Sequence, residues 1–69
     1  MTTALETQKK MNSAYERGQY KKAFLLYVLL INLREAEGQP VLRMPNLVQR
    51  AQELNMDVPS KVLELQVKK

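Results

Sequence analysis

The run AFLLYVLLINL, Ala23 to Leu33, constrains this chain more than any other stretch. Ten of its eleven residues are apolar or aromatic, in a chain of 69 residues with a net charge of +4. A helix that crosses a bilayer needs roughly 20 apolar residues, and a run about half as long is more often buried core. The rest of the chain must therefore cover it. Sixty-nine residues make one domain, near the lower size limit for folding on its own core. Domains this small draw on disulfides, a metal or a partner subunit when the core falls short. This chain has neither cysteine nor histidine, which excludes a disulfide framework and the common zinc sites. Packing and oligomerisation remain.

The flanks define the run as part of a helix. Gly18 stops a first helix that starts after Thr3, a plausible N-cap with Glu6 as its capping-box partner. Leu5, Gln8, Met11, Ala14 and Tyr15 recur in that first helix at three- and four-residue steps. The second helix runs from about residue 20 to Glu37, where Gly38 and Pro40 end it. Only one of its stripes repeats polar residues: Lys21, Leu25, Val28, Asn32 and Glu35. The faces Leu26–Leu29–Leu33 and Ala23–Tyr27–Leu30–Ile31, with Phe24 beside them, are apolar, as in a central buried helix. Pro45 suits the first position of a third helix with Leu47, Val48, Ala51 and Leu54 on one face and Asn55 as a left-handed cap. The last element, behind Asp57 and Pro59, fits a helix through Val58, Val62 and Leu65. Yet Leu63 to Lys68 alternates as a strand would; the helix is the expectation and the strand its alternative. The chain thus reads as one all-α domain over residues 1–69, a small three- to four-helix bundle with a central hydrophobic second helix. Helices are expected over about 4–17, 20–37, 45–54 and 59–67, with 1–3 frayed. The N-terminal MTTALETQKK has no apolar core of the kind a signal peptide needs, so a cytoplasmic protein without a membrane segment is expected.

Catalytic chemistry is poorly supplied. There is one aspartate, Asp57, and two serines, Ser13 and Ser60, with no candidate base near either in sequence. Gly18 and Gly38 are the only glycines, so no phosphate-binding loop exists. Glu53 and Asp57, close to Asn55, suit a cap better than a metal site. A non-enzyme without cofactor or metal is expected, and binding is what remains.

The segment AYERGQYKKAFLLY places Ala14, Gly18, Tyr20, Ala23 and Tyr27 in the spacing A-x-x-x-G-x-Y-x-x-A-x-x-x-Y. Gly18 permits a tight turn, Ala23 lets two helices approach, and the tyrosines fill the groove while their hydroxyls reach polar surroundings. This resembles the hairpin of tetratricopeptide-type helical pairs and of the related microtubule-interacting and trafficking three-helix domains. LVQRAQELN, Leu47–Asn55, looks like the end of the third helix of the latter. The resemblance spans about residues 4–55, with departures. One copy stands where a tetratricopeptide array stacks several, Met11 replaces a small residue, and Pro45 shortens the third helix. It implies a protein-interaction module that lays a helix or extended peptide between helices two and three. The expected partner-binding residues there are Val28, Leu29, Leu47, Val48, Ala51 and Leu54.

The alternative is a small basic nucleic-acid-binding regulator. The part through Lys22 carries five basic residues, Lys9, Lys10, Arg17, Lys21 and Lys22, against Glu6 and Glu16. Residues 47–66 also read as a helix-turn-helix with Asn55 at the turn and Val62 and Leu65 buried. Its polar readers would be Ser60, Lys61, Glu64 and Gln66, with Lys61, Lys68 and Lys69 for phosphates. Finally, three short elements barely surround one apolar helix. Leu25 and Val28 are left on the uncovered stripe, and an exposed apolar patch marks an interface. A homodimer or stable hetero-complex is expected, with Leu25, Val28 and Asn32 near the contact.

Overall fold

The computed structural model describes residues 3–67, in four helices: α1 (Ala4–Glu16), α2 (Tyr20–Glu37), α3 (Pro45–Glu53) and α4 (Ser60–Val67). The chain is a small all-α bundle, and its last element is a helix. Of residues 1–3, expected to fray, 1 and 2 lie outside the described residues and Thr3 is held as the N-cap. Thr3 caps α1 as expected, its Oγ1 accepting from Glu6 N–H at 3.1 Å.

The first three helices end alike. Each is followed by a left-handed residue, Gly18 (φ 78°), Gly38 (φ 70°) and Asn55 (φ 60°). The next N–H then reaches back to a carbonyl five positions earlier: Gln19 to Ala14 at 2.8 Å, Gln39 to Arg34 at 2.8 Å and Met56 to Ala51 at 3.0 Å. This closure satisfies carbonyls that the helix end would otherwise orphan. No atom lies within 4 Å of a Cβ added at Gly18. Gly18→Ala should therefore cost only the left-handed backbone penalty, about 1–2 kcal/mol. For a domain of this size that lowers Tm by roughly 4–8 °C per kcal/mol. A thermal melt checks it, and an unchanged Tm would contradict the turn.

α2 is the central strut. Arg34 Nη2 donates to Gln8 Oε1 at 3.0 Å, which with the Gly18 turn sets α1 antiparallel to it. On the other side α3 runs back along α2, with Arg50 5.5 Å from the Tyr20 ring centroid. α4 does the same, meeting Asn32 through Lys61 and Tyr27 through Gln66. The core is Ala23, Phe24, Tyr27, Leu30 and Ile31 of α2 between Ala4, Thr7, Met11 and Ala14 of α1 and Leu47, Val48, Ala51 and Val62 of α3 and α4. The radius of gyration of 11.4 Å matches the value of about 11 Å for one packed body of this length.

Two core expectations need correction. Leu5 is 59% exposed, and Ala4 and Thr7 take the inward positions. Thr7 can be buried because its hydroxyl donates to the Thr3 carbonyl at 3.0 Å, leaving its methyl to face the core. The face Leu26–Leu29–Leu33 is not covered either: Leu29 is 43% exposed, and Leu26 and Leu33 are half-buried. α1 lies against one flank of α2, and α3 with α4 against the other, so a strip between them stays open. No helix of the described residues is long and apolar enough to cross a membrane.

One polar network is locked inside. The Tyr27 hydroxyl donates to the Leu42 carbonyl at 2.6 Å and accepts from Gln66 Nε2 at 2.9 Å. Gln66 Oε1 accepts from Met44 N–H at 2.8 Å, and its Nε2 also donates to the Val62 carbonyl at 3.1 Å. Among the described residues no buried side-chain polar atom lacks a partner, so α2, the linker 39–44 and α4 are joined without an unsatisfied group.

Candidate interaction face

At about 100° per residue, Lys21, Leu25, Leu29, Asn32 and Ala36 form one strip along α2, and all five are exposed. Leu25 is 64% exposed. Leu26 and Leu33 border the strip on the α1 side, and Val28 borders it on the side of α4; each is half-buried against the core. Leu25 and Leu29 are one turn apart on α2; the other exposed large apolar residues, Leu5, Leu42, Leu54, Leu63 and Val67, lie on other elements.

The expected binding residues divide into two groups. Leu25, Leu29 and Asn32 lie on the open strip with Val28 at its edge. Leu47, Val48 and Ala51 are at most 3% exposed and belong to the chain's own core. These three side chains occupy the contact between α2 and α3 as part of the core. Leu54 is 41% exposed, but α3 ends at Glu53. Leu54 instead borders a hollow with Gly18, Gln19, Tyr20, Lys21 and Lys22.

The basic residues gather at the N-terminal end of the strip. Lys10, Arg17 and Lys22 surround a cleft beside Leu26, and Lys21 stands next to Lys22. Among the described residues the ion pairs are Arg50–Glu53 at 3.3 Å and Lys61–Glu35 at 3.8 Å, so these four cations have no acidic partner there. Lys9 lies about 100° round α1 from Lys10, is exposed and does not line this cleft. Lys61 is held on α4, its Nζ donating to Asn32 Oδ1 at 2.6 Å.

Of the helix-turn-helix residues, Gln66 is turned inward to Tyr27 and Met44. Ser60, Lys61 and Glu64 are exposed on α4, with Lys61 half exposed beside Asn32 and Glu35. Lys68 and Lys69 lie outside the described residues.

Sequence reasoning missed a second polar feature. Tyr15 and Tyr20 meet edge to face at 5.5 Å, and Arg50 stacks on Tyr20. These side chains pin α3 to the α1–α2 turn, and Tyr15 and Arg50 line a hollow of about 290 Å³ with Asn46, Gln49 and Glu53. The antiparallel order of α2 and α3 was the signal that could have paired Tyr20 with Arg50. Among the described residues no group of three or more acidic, cysteine or histidine side chains is placed to hold a metal.

Comparison of the chain with protein-family models, with curated proteins and with solved structures gives no match.

Proposed function

We propose that this chain is a small non-catalytic adaptor or regulatory protein that works by holding another protein on the open strip of α2. One observation carries the reading: Leu25 and Leu29 stand exposed in line on the helix that also forms the core. Covering that strip takes apolar surface from water at about 25 cal/mol per Å², while the buried half of the helix fixes its geometry beforehand. The kinship proposed with tetratricopeptide and microtubule-interacting and trafficking hairpins rests on the Gly18 turn and the small Ala23. Binding would use the outer face of the hairpin and not the α2–α3 contact.

The test is site-specific photo-crosslinking in the native host, with a photoreactive residue at Leu25 or Leu29 and, as a control, at Gln52. Protein adducts at the two leucines and none at Gln52 are the expected outcome. Absence of adducts at the leucines removes the reading.

The second reading is nucleic-acid binding, favoured by Lys10, Arg17, Lys21 and Lys22, which have no acidic partner among the described residues. It expects duplex binding that weakens steeply between low and moderate salt. It also expects loss of that binding when the three lysines become glutamate while the fold survives. No binding at low salt eliminates it.

A further inference from the structure

The open face of α2 carries charges that oppose its own helix. Its first turn has Lys21 and Lys22, no acidic residue and no side-chain cap. Its last turn has Glu35 and Glu37, with Arg34 turned aside to Gln8 of α1. A helix dipole favours acids at the start and bases at the end, so both pairs are placed against it. Between them lie Leu25 and Leu29. From N- to C-terminus the strip and its flanks therefore run basic, apolar, acidic. A surface with that order is complementary to itself reversed.

We propose that the occupant is a second copy of this chain, with its α2 packed antiparallel on the first about a twofold axis near Leu29. The inference rests on the reading that this face binds protein. In such a self-complementary interface each contact occurs twice. At about 100° per residue, Lys21 and Glu35 fall on one flank of the leucine strip, and Lys22 and Glu37 on the other. The twofold axis sets each flank against the same flank of the copy. Lys21 then faces Glu35, Lys22 faces Glu37, Leu25 packs towards Leu33, and Leu29 meets Leu29. Each acidic helix end comes to rest beside the copy's basic one, and the two dipoles oppose. An acidic helix from a foreign protein would match the lysines but meet like charge at Glu35 and Glu37, which is why the copy is favoured. The Lys61–Glu35 contact does not prevent the exchange, since both side chains are about half exposed and an exposed pair is weakly held.

The experiment is sedimentation equilibrium of the full chain from low to high micromolar concentration. A reversible monomer–dimer equilibrium is expected for the natural sequence. Leu29→Asp, at an exposed position, should give a monomer throughout with unchanged helical circular dichroism. The double variants Lys21→Glu/Lys22→Glu and Glu35→Lys/Glu37→Lys should each self-associate at least about tenfold more weakly. Mixed together they should recover the original affinity as a heterodimer, because every flank contact again joins opposite charges. Leu29→Asp in either partner should abolish that mixed dimer. A chain monomeric at all concentrations, a dimer that survives Leu29→Asp, or a mixture that fails to recover would each overturn the proposal. Photo-crosslinking at Leu29 separates its failure from that of the broader reading. An adduct of twice the chain's mass supports the copy, an adduct of another mass removes the copy but leaves protein binding, and no adduct removes both.

Discussion

Tyr27→Ala is expected to leave the chain largely unfolded at 25 °C, the largest effect of any single change considered. Tyr27 is fully buried at the centre of α2, and truncating a buried aromatic ring costs about 3–5 kcal/mol. A domain of 69 residues has a total stability of only about 3–10 kcal/mol. The lost hydroxyl adds to the deficit, since the Leu42 carbonyl loses its donor and Gln66 an acceptor. Tyr27→Phe separates the two parts. It keeps the ring and should cost about 1–2 kcal/mol, at the low end for an unsatisfied polar group, because Gln66 retains the Val62 carbonyl. Denaturant titration followed by circular dichroism reads both. Burial pushes the Tyr27 hydroxyl above the usual tyrosine range, against smaller opposing effects of the Gln66 side chain and the Met44 backbone beside it. Between the unfolded and the folded pKa the unfolded chain holds fewer protons, so stability must fall as pH rises. The contribution is complete below about pH 10 and is lost above it. Tyr27→Phe should lack that alkaline loss. An equal loss in both proteins would place its origin elsewhere.

The helices were legible because their punctuation is local. Gly18, Gly38, Pro45 and Thr3 act within a turn of the positions they mark, and Asn55 takes the left-handed conformation that few other residues tolerate. The choice of helix over strand for the last element turned on tertiary contacts. Val62 and Gln66, four apart, must both face inward, which a helix allows. Leu5 was misplaced because a hydropathy pattern treats threonine as polar, and a hydroxyl that bonds its own helix is not.

The candidate site was half legible for a related reason. Apolar character identified Leu25, Leu29, Leu47, Val48 and Ala51 alike as candidates for contact, but it cannot say which of two apolar faces the chain itself will cover. That depends on the length of the covering elements. α3 has nine residues and α4 eight, against eighteen in α2, so together they cover one flank. The open strip is what remains of a helix too apolar for its neighbours. Its charged ends then determine what kind of surface can close it.

Val62→Asp should have the second largest effect and a different character. α4 has a single fully buried side chain, Val62, with Leu65 partly buried against the core, and is otherwise held by Gln66 and Lys61. An unpaired carboxylate in that position is too costly to keep buried. The chain can avoid the cost without unfolding, because α1, α2 and α3 share most of the core. Release of α4 alone is therefore expected, a local opening of the least anchored unit. Hydrogen exchange should show the amides from Leu63 to Val67 losing protection, and Met44 N–H with them, since its acceptor is Gln66 Oε1. The α1–α2 hairpin should stay protected, though less stable overall by several kcal/mol as Tyr27 and Val48 lose cover. Leu25 and Leu29 would be untouched, while Asn32 and Glu35 are freed from Lys61. If exchange instead speeds up uniformly across all four helices, α4 is an integral part of a single cooperative core.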